Sequence, residues 1–316
     1  MDVRQLRYFV SIVDCRSLEK AAKKLLVAQP SLSRQLAGLE EDLGVLLLLR
    51  SKHGVTPTSA GDALYRHARL VLRQMEQLKQ EVTLGGAAAK LGTVAVGLPT
   101  TMASALALPL FERVQDEYPG IRLKLLEGGN GYLNELLADG RLDLAILFLG
   151  SDMPGITALP VLDETLYVLG EPGEGVSPRS TTCPLSKLAG VKLVGPGVLN
   201  DLRLLLERTF SRENVQLNVV ADVDSLTTMI SIAHSVGACT ILPGSAVAQL
   251  DASHLPKMRR IVNPPIERPA SICWLDGLPP HNATVAVRDT IAAVIAEQVT
   301  EGAWQGVTLR PGPSAD

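Results

Sequence analysis

The chain has 316 residues, of which 46% are hydrophobic, and a formal net charge of −3. That length accommodates two or three domains with their own cores, and apolar runs such as residues 45–49 are far too short to span a bilayer. Charge is unevenly shared: residues 1–60 carry nine Lys/Arg against six Asp/Glu, whereas residues 61–316 carry 21 against 27. A basic head on a larger acidic body implies that the head meets a polyanion and the body does not. Cys15, Cys183, Cys239 and Cys273 are scattered, with no CxxC and no His pair at zinc spacing. This argues for free thiols in a reducing compartment over a redox pair, and for no metal or cofactor. Residues 1–7 carry charge with no apolar segment behind them, so no secretion signal is expected and the chain is placed in the cytoplasm, away from membranes.

In chain order, Leu6, Phe9, Val10 and Val13 make one apolar helical stripe. Ser17 is a good N-cap for a second helix with Leu18, Ala21, Ala22 and Leu25 inside. In the third, "QPSLSRQLAGLEEDLG", Pro30 suits the first helical position and Gly44 supplies the stop. Leu32, Leu36, Leu39 and Leu43 face inward there. Residues 45–50 and 55–58 form a hairpin around Lys52, His53 and Gly54. From 59 to 84 the apolar positions Leu64, Ala68, Val71, Met75, Leu78 and Val82 step by 4, 3, 4, 3, 4. That heptad spacing favours a dimerising helix pair; the ordinary alternative is a helix lying on its own domain's core.

Residues 85–90 read as a hinge. Beyond them, strands at 91–97, 122–127 and 142–147 alternate with helices at 103–117 and 131–139. After a crossing segment at 159–170 the same grammar recurs: strands at 192–194, 216–220 and 239–242, helices at 201–210 and 225–236, and a last helix at 285–299. Such alternation predicts parallel sheets covered by helices, here as a two-lobed α/β body at 91–302 with a cleft, followed by a tail at 303–316.

Three short helices with a tight second turn and a following hairpin make a winged helix-turn-helix, mostly helical with a β wing, over residues 1–58. Ser31, Ser33, Arg34 and Gln35 are left outward on the third helix. Arg and Gln can form paired hydrogen bonds to base edges, Ser adapts to base or phosphate, and N–H groups after Pro30 would favour a phosphate. The DNA-contacting set is therefore Ser17, Gln29, Pro30, Ser31, Ser33, Arg34, Gln35, Arg50, Lys52 and His53.

The stretch from "RQLRYFVSIVD" through "AQPSLSRQLAGLEEDLG", with "GVTPT" and "LYRHAR" after it, resembles the N-terminus of LysR-type transcriptional regulators. Within that family it looks most like the nitrogen assimilation control subgroup. "RLDLAIL" matches a recurring phrase of the family's effector domain, so the resemblance covers nearly the whole chain. It implies a long dimerising linker helix at 59–84, a periplasmic-binding-protein-like effector domain, tetramers built as pairs of dimers, and dyad-symmetric double-stranded DNA sites. RNA polymerase is a further candidate partner. The family usually has Phe where this chain has Leu48, a basic residue at the wing tip where it has His53, and a second glycine where "VGACTILP" has Ala238. Leu48 should still pack, and His53 would either weaken minor-groove contact or make it depend on pH.

Ligands of two-lobed α/β bodies sit beyond the strand ends, at helix N-termini. Thr100, Thr101, Asn130, Gly197 and Val198 occupy such positions and are the candidate effector contacts, although capping alone would also explain the threonines and the asparagine. With Asp201, Asp222 and Asp224 near the cleft and no arginine in its loops, a neutral or zwitterionic effector, or none, is favoured over a strongly anionic one. The body contains no GxGxxG, GxSxG or P-loop and no carboxylate pair with a poised His, so no catalytic residue is expected. The remaining alternative to a DNA-binding regulator is a solute-binding protein with no transcriptional role.

Overall fold

In a computed structural model, residues 1–51, 54–84, 92–148, 153–173, 175–248, 256–276 and 280–310 are described. They fall into two compact units, Met1–Ala89 with Ala138–Arg141, and Lys90–Leu137 with Leu142–Asp316.

In the first unit, α1 (Val3–Cys15) starts with a reciprocal cap between Asp2 and Gln5, and α2 (Leu18–Leu25) starts where Ser17 Oγ accepts from the Lys20 amide at 3.3 Å. The third helix, α3 (Gln29–Leu43), ends at Gly44 in the left-handed conformation, φ 68°. Phe9, Ile12, Ala21, Leu32, Leu36 and Leu39 close the core between them. The wing pairs β1 (Leu48–Ser51) with β2 (Gly54–Pro57) in antiparallel register. Leu48 is buried, so the leucine packs as expected. Gly54 adopts φ 122°, and a Cβ there would stand 2.6 Å from the Arg16 carbonyl oxygen. That same oxygen accepts the Val55 amide at 3.0 Å, so the missing side chain lets the wing close on the turn after α1. Glu40 Oε1 accepts the Leu47 and Leu48 amides at 2.8 and 3.2 Å and ties the wing to α3.

The long helix α4 (Ser59–Leu84) matches the predicted linker, but its expected seam divides. Ala68 is only 1% exposed and Leu64 half-buried, both against the winged-helix core, where Tyr65 donates to Asp14 Oδ1 at 2.5 Å. These two positions serve their own domain, because the first turns of α4 cover α1. Val71 and Leu78 are exposed and Met75 half-buried, and none of the three belongs to the head's own core. The Val82 side chain and the hinge at 85–90 lie outside the described residues, as do Lys52 and His53.

The second unit has two lobes, between which the chain crosses twice, out along a long strand and back along its antiparallel neighbour. In the first lobe β3 (Gly92–Pro99) pairs in parallel with β4 (Ile121–Gly128) and β5 (Leu144–Leu147), connected through α5 (Thr100–Glu117) and α6 (Asn130–Ala138). The 14-residue β6 (Ile156–Leu169) then leads into the second lobe. There β7 (Thr182–Pro184), β8 (Lys192–Gly195), α7 (Asp201–Arg212), β9 (Asn218–Asp222), α8 (Leu226–Ser235), β10 (Thr240–Pro243) and β11 (Met258–Val262) follow. The chain returns along β12 (Glu267–Leu275), antiparallel to both β5 and β6, and into α9 (Asn282–Thr300). The first lobe's core holds Val96, Leu106, Leu144, Ile272 and Val287; the second's holds Val168, Leu193, Phe210, Ile241 and Ile261.

Two expectations are corrected. The large sheet is mixed, not parallel, because β6, β10, β11 and β12 add antiparallel ladders to the parallel ones. The span 303–310 is not a tail: Trp304 is buried in the first core, and β13 (Val307–Leu309) pairs with β6. At the substituted glycine position, Gly237 keeps the left-handed φ of 63°, and Ala238 packs buried beside it.

Cys183, Cys239 and Cys273 are buried, and burial pushes the Cys239 thiol up to about 11 and Cys273 up to about 12. In the native protein at pH 8, Cys15 should react first with a thiol reagent, and the three buried thiols only after unfolding, as read by mass spectrometry. A raised thiol pKa means that the folded state holds protons the unfolded chain releases. The stabilisation is therefore complete below about pH 9 and lost as pH rises towards 12, and the urea midpoint should fall across that window.

Candidate DNA-binding face and effector cleft

On α3, Gln29, Pro30 and Arg34 are exposed, with Ser31, Ser33 and Gln35 half-buried along the same polar face. Arg34 makes no ion pair or hydrogen bond among the described residues and is unengaged for a groove. Arg50 of β1 reaches Ser33, its Nη2 donating to Ser33 Oγ at 3.3 Å, so the base of the wing and the polar face of α3 form one continuous surface. Ser17 is already spent as the cap of α2. The N–H groups after Pro30 are not free: the Ser31 and Leu32 amides both donate to the Ala28 carbonyl, at 3.0 and 3.2 Å. A phosphate at this helix start would instead meet the Gln29 amide, ahead of the proline and without an acceptor among the described residues.

Between the lobes of the second unit lies a cleft of about 210 Å³. Thr100 and Thr101 line it from the first turn of α5, which no side chain caps. Asn130 also lines it, but its amide is occupied: Oδ1 accepts the Phe148 N–H at 2.7 Å and Nδ2 donates to the Phe148 carbonyl at 3.3 Å. Asn130 therefore positions Phe148 rather than offering both groups to a ligand. Gly197 and Val198 are not part of the lining. The Gly197 amide donates to Asp224 Oδ1 at 3.2 Å, Val198 is exposed, and Pro196, Asn200, Asp201 and Asp224 face the cleft in their place.

The residue missed by sequence reasoning is Arg268. The cleft's loops contain no arginine, but this one enters its wall from β12. Its register partner on β6 is Glu164, 1% exposed, whose Oε2 accepts from Arg268 Nε and Nη2 at 3.0 and 2.8 Å. The other carboxylate oxygen, Oε1, accepts from Ser245 Oγ. Arg268 Nη2 also donates to Thr101 Oγ1 at 2.7 Å, and the guanidinium lies 3.5 Å from the centre of the Phe148 ring. Burial pulls the Arg268 pKa down, and the Glu164 carboxylate opposes that pull, as does the charge of Asp201. The signal in the sequence was a lone arginine opening the apolar run "RPASICWL", but only strand register could show that it faces a glutamate.

The fold and the two sites describe a DNA-binding regulator with a ligand-binding body. Residues 3–62 match the helix-turn-helix model of the bacterial LysR family, and residues 87–296 match the LysR substrate binding domain. The chain is 39% identical to the nitrogen assimilation regulatory protein nac of Klebsiella aerogenes, over 84% of this chain and 85% of that one. With the Escherichia coli K12 protein of the same name the identity is 35%, over 98% of this chain and all of the other. Among solved structures, a full-length OxyR variant from Pseudomonas aeruginosa superposes with a TM-score of 0.75 at 23% identity, over 98% and 99% of the two chains. This chain belongs to the LysR family of transcriptional regulators. A solute-binding role without transcription does not fit a chain with this N-terminal match. No helix among the described residues is long and apolar enough to cross a membrane.

Removing one member of a buried ion pair strands the other's charge. Glu164→Leu should destabilise the full chain by about 3–5 kcal/mol, read from urea unfolding. Adding Arg268→Met should restore most of that loss, since an apolar pair of similar size removes the stranded charge.

Proposed function

We propose that this chain is a cytoplasmic, non-enzymatic regulator that reads a dyad-symmetric double-stranded DNA site through paired winged-helix heads. Arg34 and Gln35 read bases from the major groove, with Gln29, Ser31 and Ser33 flanking them, and Arg50, Lys52 and His53 engage the backbone or minor groove. Val71, Met75 and Leu78 form the seam between paired linker helices, and dimers associate in pairs. The second unit binds a small molecule in its cleft, with Thr100, Thr101 and Arg268 on the wall. Because the two curated relatives are nitrogen assimilation regulators, the genes controlled belong to nitrogen metabolism.

The observation that carries the DNA reading is the polar face of α3. Arg34 is exposed and unengaged there, and Arg50 is already bonded to Ser33 across to the wing. A core-facing helix has no use for that surface.

Quantitative gel shifts on the chain's own upstream DNA test it. Arg34→Ala should cost about 1–3 kcal/mol on the specific site and relax preference at one base position. Arg50→Ala should weaken all sequences alike and reduce the salt slope by about 1. Unchanged specific binding in Arg34→Ala would remove α3 as the reading element.

A further inference from the structure

The two walls of the cleft carry opposite electrical character. On the first lobe, the uncapped first turn of α5 presents N–H groups and the positive end of an 18-residue helix. Arg268 stands beside it, 7% exposed, in the cleft lining. Its Nε and Nη2 are committed to Glu164 and Thr101, while Nη1 makes no hydrogen bond among the described residues. On the second lobe, Asp201 and Asp224 are the charged lining groups. Asp201 makes no hydrogen bond or ion pair among the described residues, although Asn200 caps the helix it begins. It lies near enough for its charge to be felt at Arg268. Leu226, Met229 and Leu242 give the cleft an apolar corner.

We infer that the cleft selects a zwitterion, an α-amino acid with an uncharged side chain. Its carboxylate sits against the α5 start and Arg268 Nη1, its ammonium against Asp201 and Asp224, and its side chain against Leu226 and Met229. This deepens the proposal that the cleft is the effector site and rests on it. Three features set the class. Glu164 balances the charge of Arg268, so the donor wall suits one carboxylate and has little surplus for two. Two carboxylates on the far wall repel a second anionic group and attract a cation. The volume, about 210 Å³, accommodates a small amino acid.

Calorimetry on the full chain tests this with leucine, methionine and glutamine, with 4-methylpentanoate and isopentylamine as the deaminated and decarboxylated leucine analogues, and with succinate. At least one amino acid should bind, about tenfold or more tighter than either leucine analogue or succinate. Asp201→Asn should weaken that amino acid by about tenfold and leave 4-methylpentanoate unchanged or improved. Thr100→Phe, which fills the cleft, should abolish binding, with circular dichroism and thermal melts confirming that both variants fold. Tighter binding of succinate or 4-methylpentanoate, or an unaffected Asp201→Asn, would overturn the zwitterion assignment while leaving the cleft as the effector site. Binding that survives Thr100→Phe, or no binding by any of the six compounds, would overturn the cleft reading itself.

Discussion

The second unit depends on one buried ion pair. Glu164 sits on β6 just before that strand leaves the first lobe's ladder with β12 for the second lobe's ladders with β10 and β11. Its carboxylate is 1% exposed and accepts from Arg268 on the neighbouring strand and from Ser245 in the turn after β10. Charges in such a place survive only when opposite charge and hydrogen bonds compensate their lost hydration, which fixes the geometry of the groups around them. Here those groups include Thr101, at the start of α5, and Phe148, just after β5. The pair thus holds the cleft wall in place from behind while leaving part of the guanidinium for the cleft. A change in the cleft that pulled on Arg268 would be felt at the strand crossing, where the two lobes meet.

Much of this was readable from residue order. The α3 helix, the Ser17 cap and the extent of α4 follow from local rules of helix periodicity and capping, and the structure forms all three, although the α4 stripe divides and Leu43 turns outward. The strand and helix alternation from β3 to β10 was readable for the same reason. What local rules could not reach was pairing between distant segments. Strand β12 carries Arg268, yet its antiparallel partners β5 and β6 lie more than a hundred residues earlier, and no local spacing encodes that register. Trp304 and β13 were missed because a few residues past a long helix look like a tail until something buries them.

The candidate site shows the same division. Thr100 and Thr101 were found because a helix start is a local feature, and Asn130 was found for the same reason, but its function changed. Its amide is spent on the Phe148 backbone, which sequence could not reveal because the two meet only through the parallel sheet. On α3 Leu32, Leu36 and Leu39 face inward as expected, but Leu43, expected inward as well, is exposed in the last turn before Gly44. The donors after Pro30 are not free, since a tight first turn returns both amides to Ala28.

The division of labour along α4 has a thermodynamic consequence. Tyr65 and Ala68 complete the head's own core with Leu72 packed half-buried against it, while Val71 and Leu78 on the same helix stay exposed. A single head can therefore close its core without a second chain. Folding of the head and pairing of heads become separate equilibria, one independent of protein concentration and the other governed by it. In the proposed dimer, dilution would part the heads while each stays folded, and what is lost would be the simultaneous grip on two half-sites rather than the shape that reads either one.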